Sequence, residues 1–459
     1  MRSLRSRLGQ LRPRPAPDDA PTVSWLSTPV VAAASLALFA GTAQFGVTAI
    51  AGDVALEFGE VPPEEAEQPI EQVGMALTTL GIGLAIIRLA SMGSLVAASV
   101  ADRLGRRRTV LALATGGLAL TAAAAGAWAF WVFVALLALA RPMLTGTDAV
   151  AAVMVAEETN SADRAKAIAL IGGAYAVGSG LISVLRGVLD PLLDFRGILL
   201  IALLPLLLVP VAARRIREPA RYAATASGSE AEATSQGEDQ AASDAHPDPA
   251  EAAVLRRRLG SVPAGLRARL VLICVITFGM GLVLGPVWTY LFVYGEGVLQ
   301  ATPLQMSGLV LAAGPLGLLG LVAGRLAADR LGRRGAAAGS MALTAVAGAL
   351  AYTGDFGMLA VGYLLSITAG GAYTPSGGAL DAEVFPTSVR ATAAGWLAAS
   401  GVLGQVVGLA AFGLLAEAFG TFAVAGVVLC LPVALLAGLY AFLPETRGLE
   451  LEESAPEPT

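Results

Sequence analysis

Lysine and histidine are almost missing from this chain. Lys166 and His246 stand alone among 459 residues, and only two cysteines, Cys274 and Cys430, accompany them. Each scarcity removes a class of function. The one lysine lies in Arg164-Ala-Lys166-Ala, so no glycine-rich phosphate loop ending in Gly-Lys-Ser or Gly-Lys-Thr exists and nucleotide-driven pumping is excluded. The cysteines sit in separate apolar stretches, which leaves neither a disulfide framework nor metal-ligand spacing, and His246 lies in a polar segment. With so few nucleophiles, bases and soft ligands, neither enzyme chemistry nor a cofactor or metal is expected. Charge is scarce too: 14% of residues are charged while 56% are hydrophobic, more than a soluble core could hide, so lipid is the solvent. The net charge of −5 gives no reason to expect a nucleic-acid partner.

What is present is a repeat. Ala-Asp-Arg-Leu-Gly-Arg-Arg occurs at Ala101–Arg107 and again at Ala328–Arg334, 227 residues on. Glu157 and Arg164 return as Glu383 and Arg390, and Glu218 returns as Glu445, at nearly the same offset. Such a period implies two equivalent membrane-embedded halves, the architecture of proteins that move solutes across a bilayer.

A stretch of about 20 apolar residues crosses the hydrocarbon as a helix. Twelve are predicted, near 28–50, 74–98, 109–126, 131–155, 166–188, 197–213, 268–292, 304–325, 336–353, 357–379, 391–415 and 420–443. The expected fold is therefore an all-α membrane protein of 12 transmembrane helices in two pseudo-symmetric six-helix halves. The expected organisation is a basic cytoplasmic tail (1–27), an N-terminal half (28–213), a cytoplasmic linker (214–267), a C-terminal half (268–443) and a C-terminal cytoplasmic tail (444–459). The first 20 residues carry five arginines but no apolar core, which is unlike a cleaved signal peptide. Residues 223–253 have no hydrophobic periodicity and read as disordered.

With a cytoplasmic N-terminus, every basic residue falls on the cytoplasmic side except Arg186 and Arg196, near the outside, and Arg88 and Arg141, mid-membrane. That asymmetry is the positive-inside signature and indicates a multi-pass cell-membrane protein with both termini cytoplasmic. The loop between spans 1 and 2 is acidic, with Asp53, Glu57, Glu60, Glu64, Glu65, Glu67 and Glu71, as an outer loop can be. Arg214, Arg215 and Arg217 before the linker and Arg256 to Arg258 after it suit anionic lipid headgroups.

Gly93 to Arg107, with Asp102, Gly105 and the paired arginines, resembles the loop 2–3 signature of the major facilitator superfamily, and Gly324 to Arg334 resembles its loop 8–9 copy. Glu383-Val-Phe-Pro-Thr-Ser-Val-Arg390 with Gly395, Arg217-Glu-Pro-Ala-Arg221 and Pro444-Glu-Thr-Arg447-Gly448 resemble motifs of the sugar-porter and organic-ion branches. Two departures stand out. Span 7 lacks the paired glutamines and double tyrosine of sugar porters, and span 5 lacks the Gly-Pro signature of drug antiporters, reading instead Gly172-Gly173-Ala-Tyr175.

The resemblance implies a cytoplasmic gate across the seam between the halves. In it Gly93 lets span 2 approach span 11, Asp102 meets the N-terminus of span 11, and Arg106 or Arg107 pairs with Glu383, with Arg390 closing the cluster. The symmetric set places Asp329 at the N-terminus of span 5, with Gly332, Arg333, Glu157, Glu158 and Arg164 around it.

A charge at the bilayer centre costs about 2.5–3.5 kcal/mol and so marks a functional candidate. Arg88 on span 2, Arg141 on span 4 and Asp148, seven residues further on, are such charges. Arg141, Thr145, Asp148 and Ala152 share one helical face, and Tyr175, Ser179, Ser183 and Arg186 form a stripe on span 5. Arg141 also fits the family's arginine-containing span 4 signature, although Gly146 falls one residue late. Tyr290, Tyr373 and Gln405 are the polar candidates retained in the second half. Two readings of the arginines are open: a structural role, as an ion pair with Asp148 or as caps on backbone carbonyls, or a cavity with surplus positive charge that suits an anionic solute. The expected function is proton- or ion-coupled transport of an organic anion or sugar-like metabolite by a monomer. Efflux of amphipathic compounds and a solute sensor of the same fold are the alternatives.

Overall fold

Lipid offers no partner for a free N–H or C=O, so each apolar stretch closes its own hydrogen bonds as a helix. The computed structural model describes residues 23–59, 71–160, 163–218 and 263–449, with residue 455. The basic tail up to residue 22, the 223–253 segment, residues 60–70 of the acidic loop and most of the C-terminal tail lie outside the described residues. Spans 1 to 6 are Thr28–Ala49, Leu77–Leu104, Arg106–Ala123, Phe130–Glu158, Arg164–Leu189 and Phe195–Arg215. Spans 7 to 12 are Ala264–Phe292, Pro303–Leu331, Arg333–Leu350, Phe356–Glu383, Thr387–Phe419 and Phe422–Leu436. Among the described residues, eleven helices are long and apolar enough to cross a membrane. The exception is Arg333–Leu350, whose first turn holds Arg333 and Arg334 and whose body is mostly alanine and glycine.

Local chemistry sets the boundaries. Span 8 opens on a capping box in which Thr302 Oγ1 accepts the Gln305 N–H at 3.2 Å while Gln305 Oε1 accepts the Thr302 N–H at 2.8 Å. Asp355 starts span 10 by accepting the Met358 N–H at 3.1 Å. Span 2 is interrupted by a 3-10 turn at Ser91–Gly93, and span 7 runs on into a π-helical turn, Val293–Val298. That extension carries span 7 six residues beyond its sequence-predicted end.

Within each half, small residues let helix backbones touch. Added Cβ atoms on Gly178 and Gly41 would strike span 5 or span 1 backbone, and those on Gly281 and Gly404 would do the same between spans 7 and 11. The two pairings occupy equivalent places in the halves, as the repeat requires.

Between the halves the packing is one-sided. One buried apolar cluster runs through the second half and continues across the seam to Ile50, Val54, Leu77, Leu80 and Phe133, all at the face that is poor in arginine. At the arginine-rich face the first half has a separate core built on Leu36, Leu118, Ala151 and Ile171. The halves are thus joined at the arginine-poor face and separated at the other. At the joined face a Cβ on Gly81 would lie 2.8 Å from Leu409 O of the opposite half, so a side chain there would wedge the seam open.

Candidate substrate site and gates

The predicted face of span 4 exists. Arg141, Thr145, Asp148 and Ala152 are all half-buried, while Leu144, Gly146, Thr147 and Ala151 beside them are buried, so this stripe stays partly accessible. Thr145 Oγ1 donates to Gln44 Oε1 of span 1 at 3.3 Å, and Arg141 Nη1 reaches Gln44 O at a long 3.5 Å. Arg88, Arg141 and Tyr175 lie within one another's electrostatic reach. Spans 1, 2, 4 and 5 therefore bring Gln44, Arg88, Arg141 and Tyr175 together.

These groups are under-satisfied. Arg88 Nε, Arg141 Nε, Gln44 Nε2 and Asp148 Oδ1 are buried without a hydrogen-bond partner. Among the described residues neither Arg88 nor Arg141 forms an ion pair, and Asp148 pairs with neither of them. The structural ion pair with Asp148 is therefore not what this structure contains.

The second-half candidates divide. Tyr290 is fully buried, stacks on Phe412 and directs its hydroxyl to Leu409 O at 3.2 Å and Leu77 O at 3.4 Å. In this structure it is a seam residue at the arginine-poor face, covered by the joined halves. The Tyr373 and Tyr440 hydroxyls bond each other at 2.7 Å. Gln405 is half-buried on span 11, with Gly281 and Gly285 of span 7 packed on its backbone.

The repeated arginine motifs do something that the sequence reading did not include. Gly105 and Gly332 have φ of 95° and 85°, a left-handed region that favours glycine, and each turns the chain directly into the next helix. Glu218, from the end of span 6, then caps span 3: it accepts the Arg106 N–H at 2.6 Å and the Arg107 N–H at 3.2 Å. In return Arg107 donates to Ile216 O at 2.8 Å and Ala213 O at 2.9 Å at the end of span 6. The second half repeats the exchange. Glu445 accepts the Arg333 N–H at 2.9 Å and the Arg334 N–H at 3.2 Å, while Arg334 donates to Leu443 O at 3.2 Å. A carboxylate at a helix start and a cation at a helix end both complement the helix dipoles. The signal was in the sequence, since Glu218 and Glu445 keep the repeat offset.

The expected gate residues are placed as follows. Arg106 pairs with Glu157 at 2.8 Å and Arg333 pairs with Glu383, each inside one half instead of across the seam. Gly93 faces Pro142 of span 4, not span 11, and Asp329 is exposed instead of meeting span 5. Arg390 donates to Phe385 O of its own half at 3.2 Å, Glu158 lies beside Arg217, and Arg164 Nε is buried without a hydrogen-bond partner. Each of these described pairs lies within one half, at the face where the first half keeps an apolar core of its own. The side chain of Asp102 lies outside the described residues.

The polar closure of the seam is at the opposite face, where the sequence reading assigned no gate. Arg186 of span 5 is 1% exposed and bridges Asp53 of its own half, at 2.8 Å from Nη2, to Glu296 of the other half, at 2.7 Å. Glu417 of span 11 accepts the Thr78 N–H at the start of span 2 at 2.8 Å, and Ser307 Oγ of span 8 donates to Ser183 O of span 5 at 2.5 Å. Glu296 was missed because span 7 was expected to end at residue 292, short of the π-helical turn that carries it.

Two six-helix halves around a charged intramembrane stripe, closed at one face and parted at the other, define a multi-span transporter. The family model of the Major Facilitator Superfamily matches residues 31–330 and 307–458. The chain belongs to that superfamily, and it is a transporter and not an enzyme. No curated protein matches the chain. Among solved structures, the inward open conformation of the xylose transporter XylE from E. coli is similar at 16% identity over 93% of this chain and 98% of that one, with a TM-score of 0.66. A D-xylose-proton symporter is similar at 16% identity over 92% and 98%, with a TM-score of 0.67, and a partially occluded inward open XylE at 15% over 92% and 99%, with a TM-score of 0.60. At these identities the likeness is one of fold.

Proposed function

We propose that this chain is a proton-coupled secondary transporter that carries a small organic anion or anionic sugar-like metabolite by alternating access. The observation that supports the solute's charge is the absence of an ion-pair partner for Arg88 and Arg141 among the described residues, although both lie in the hydrocarbon. Each such charge costs about 2.5–3.5 kcal/mol, and an anion bound between them offsets that cost. Tyr175 and Gln44 are the proposed donors to the same anion, and Tyr373 and Gln405 are candidate contacts from the second half. Asp148, unpaired on the same face as Arg141, is the proposed proton carrier. Purified protein heated with a panel of monocarboxylates, dicarboxylates and neutral sugars should be stabilised by an anion and not by the neutral sugars. The reverse order would sink the anion. With a stabilising anion in hand, Asp148→Asn should keep counterflow in proteoliposomes but lose pH-driven accumulation. Undiminished accumulation would remove Asp148 from the mechanism.

The arginine-rich face is the proposed cytoplasmic face of the cell membrane, following the positive-inside rule. The transporter is proposed to work as a monomer, with its basic clusters on anionic headgroups. A cysteine placed within 223–253 should resist impermeant thiol reagents applied to intact cells and react once the cells are broken. Labelling from outside would reverse the assignment.

A further inference from the structure

Two cations of the first half have no counterpart in the second. The repeat offset of 226 or 227 residues carries Arg88 to Pro315 and Arg141 to Ile367 or Thr368, all uncharged. The fold itself does not call for the pair, because the equivalent spans 8 and 10 are helical without it. Spans 2 and 4 run side by side: a Cβ on Gly83 would meet Phe130 and Val134, and one on Gly93 would meet Pro142. That register sets Arg88 level with Leu137, so Arg141 lies about 6 Å, one helical turn, further towards the arginine-rich face. Arg88 lies in the field of Arg141, and Tyr175 acts on both. Asp148 is seven residues, about 10 Å, beyond Arg141 and is not among the groups that act on either guanidinium. Among the described residues the fold thus holds two like charges, stepped along the site, with no carboxylate paired to them.

A monoanion offsets one of these charges and leaves the other bare. A second anionic group loses water on entry, yet it meets a guanidinium that the fold has already placed and partly desolvated, so the balance favours its binding. A single phosphate-type group would be shared by two cations a turn apart. Two carboxylates take one arginine each, and the planar fork of arginine matches a carboxylate at two points. We propose, as a reading that rests on the proposed anion transport, that the solute is a dicarboxylate: one carboxylate sits on Arg141 beside Gln44, the other on Arg88, and Tyr175 donates between them.

The test sets each straight-chain diacid from malonate to adipate against its own monomethyl ester, near neutral pH, by thermal shift on the purified full-length transporter, with inorganic phosphate and glucose alongside. At least one diacid should bind about tenfold or more tighter than its ester. One charge left bare at the bilayer centre corresponds to roughly a hundredfold, and the half-burial of both arginines lowers that figure. Arg88→Gln should bring that diacid down to the affinity of its ester while the ester's own affinity holds within about threefold. Arg88→Lys, which keeps the charge without the fork, should keep part of the preference. Esters that bind as tightly as their diacids, or an Arg88→Gln protein that retains the preference, overturn the dicarboxylate and leave anion transport standing. Phosphate binding more tightly than every diacid overturns it in favour of one doubly charged group. Stabilisation by glucose alone, or by none of the anions, overturns both readings.

Discussion

Arg141→Ala should abolish the stabilisation of the purified transporter by the proposed anionic ligand while leaving the fold intact. Truncating one side of a desolvated, hydrogen-bonded charge pair costs about 2–5 kcal/mol, which is roughly thirtyfold or more in Kd. The empty protein should lose nothing comparable, because Arg141 makes no ion pair among the described residues and its one side-chain bond, to Gln44 O, is 3.5 Å long. Removing an unpaired charge from hydrocarbon relieves a cost, so the unliganded melting temperature should hold or rise. Arg141→Lys keeps the charge without the planar fork and should bind with intermediate affinity. Thermal shift with and without ligand separates these outcomes, and undiminished affinity in Arg141→Ala returns the residue to a structural role.

Glu445→Ala and Glu218→Ala each lower thermal stability, and together they do so additively. Each carboxylate satisfies two N–H groups at the first turn of a helix, and hydrogen bonds to a charged group contribute about 1.5–3 kcal/mol. The two sites lie in different halves, so their effects should sum within about 0.5 kcal/mol. Glutamine, which keeps an acceptor but loses the charge, should fall between. Thermal unfolding of the two single variants and the double variant in one detergent checks this. A double variant no less stable than either single one would show that the caps are coupled or unimportant.

These caps also show how a correct motif can carry a second meaning. The string Ala-Asp-Arg-Leu-Gly-Arg-Arg announces the superfamily and its duplication, yet it does not say which bonds its arginines make. Here Arg107 and Arg334 clasp helix ends within their own halves. Which partner an arginine at this face meets depends on whether the halves are together or apart, and that is a property of packing between elements hundreds of residues apart.

By itself the sequence determined the solvent, the count of spans, the duplication and the face of span 4, because hydrocarbon length, backbone hydrogen bonding and the 3.6-residue period are local rules. It also marked Arg88, Arg141 and Asp148, since the cost of a buried charge can be read from an apolar run. Tertiary structure alone decided that Asp148 pairs with neither arginine, that Tyr290 closes a seam, and that Glu296 reaches Arg186 through a π-helical extension of span 7. Those outcomes depend on which helix ends meet. Apolar burial and close glycine packing at the arginine-poor face settle that in three dimensions, where one-dimensional patterns have no reach.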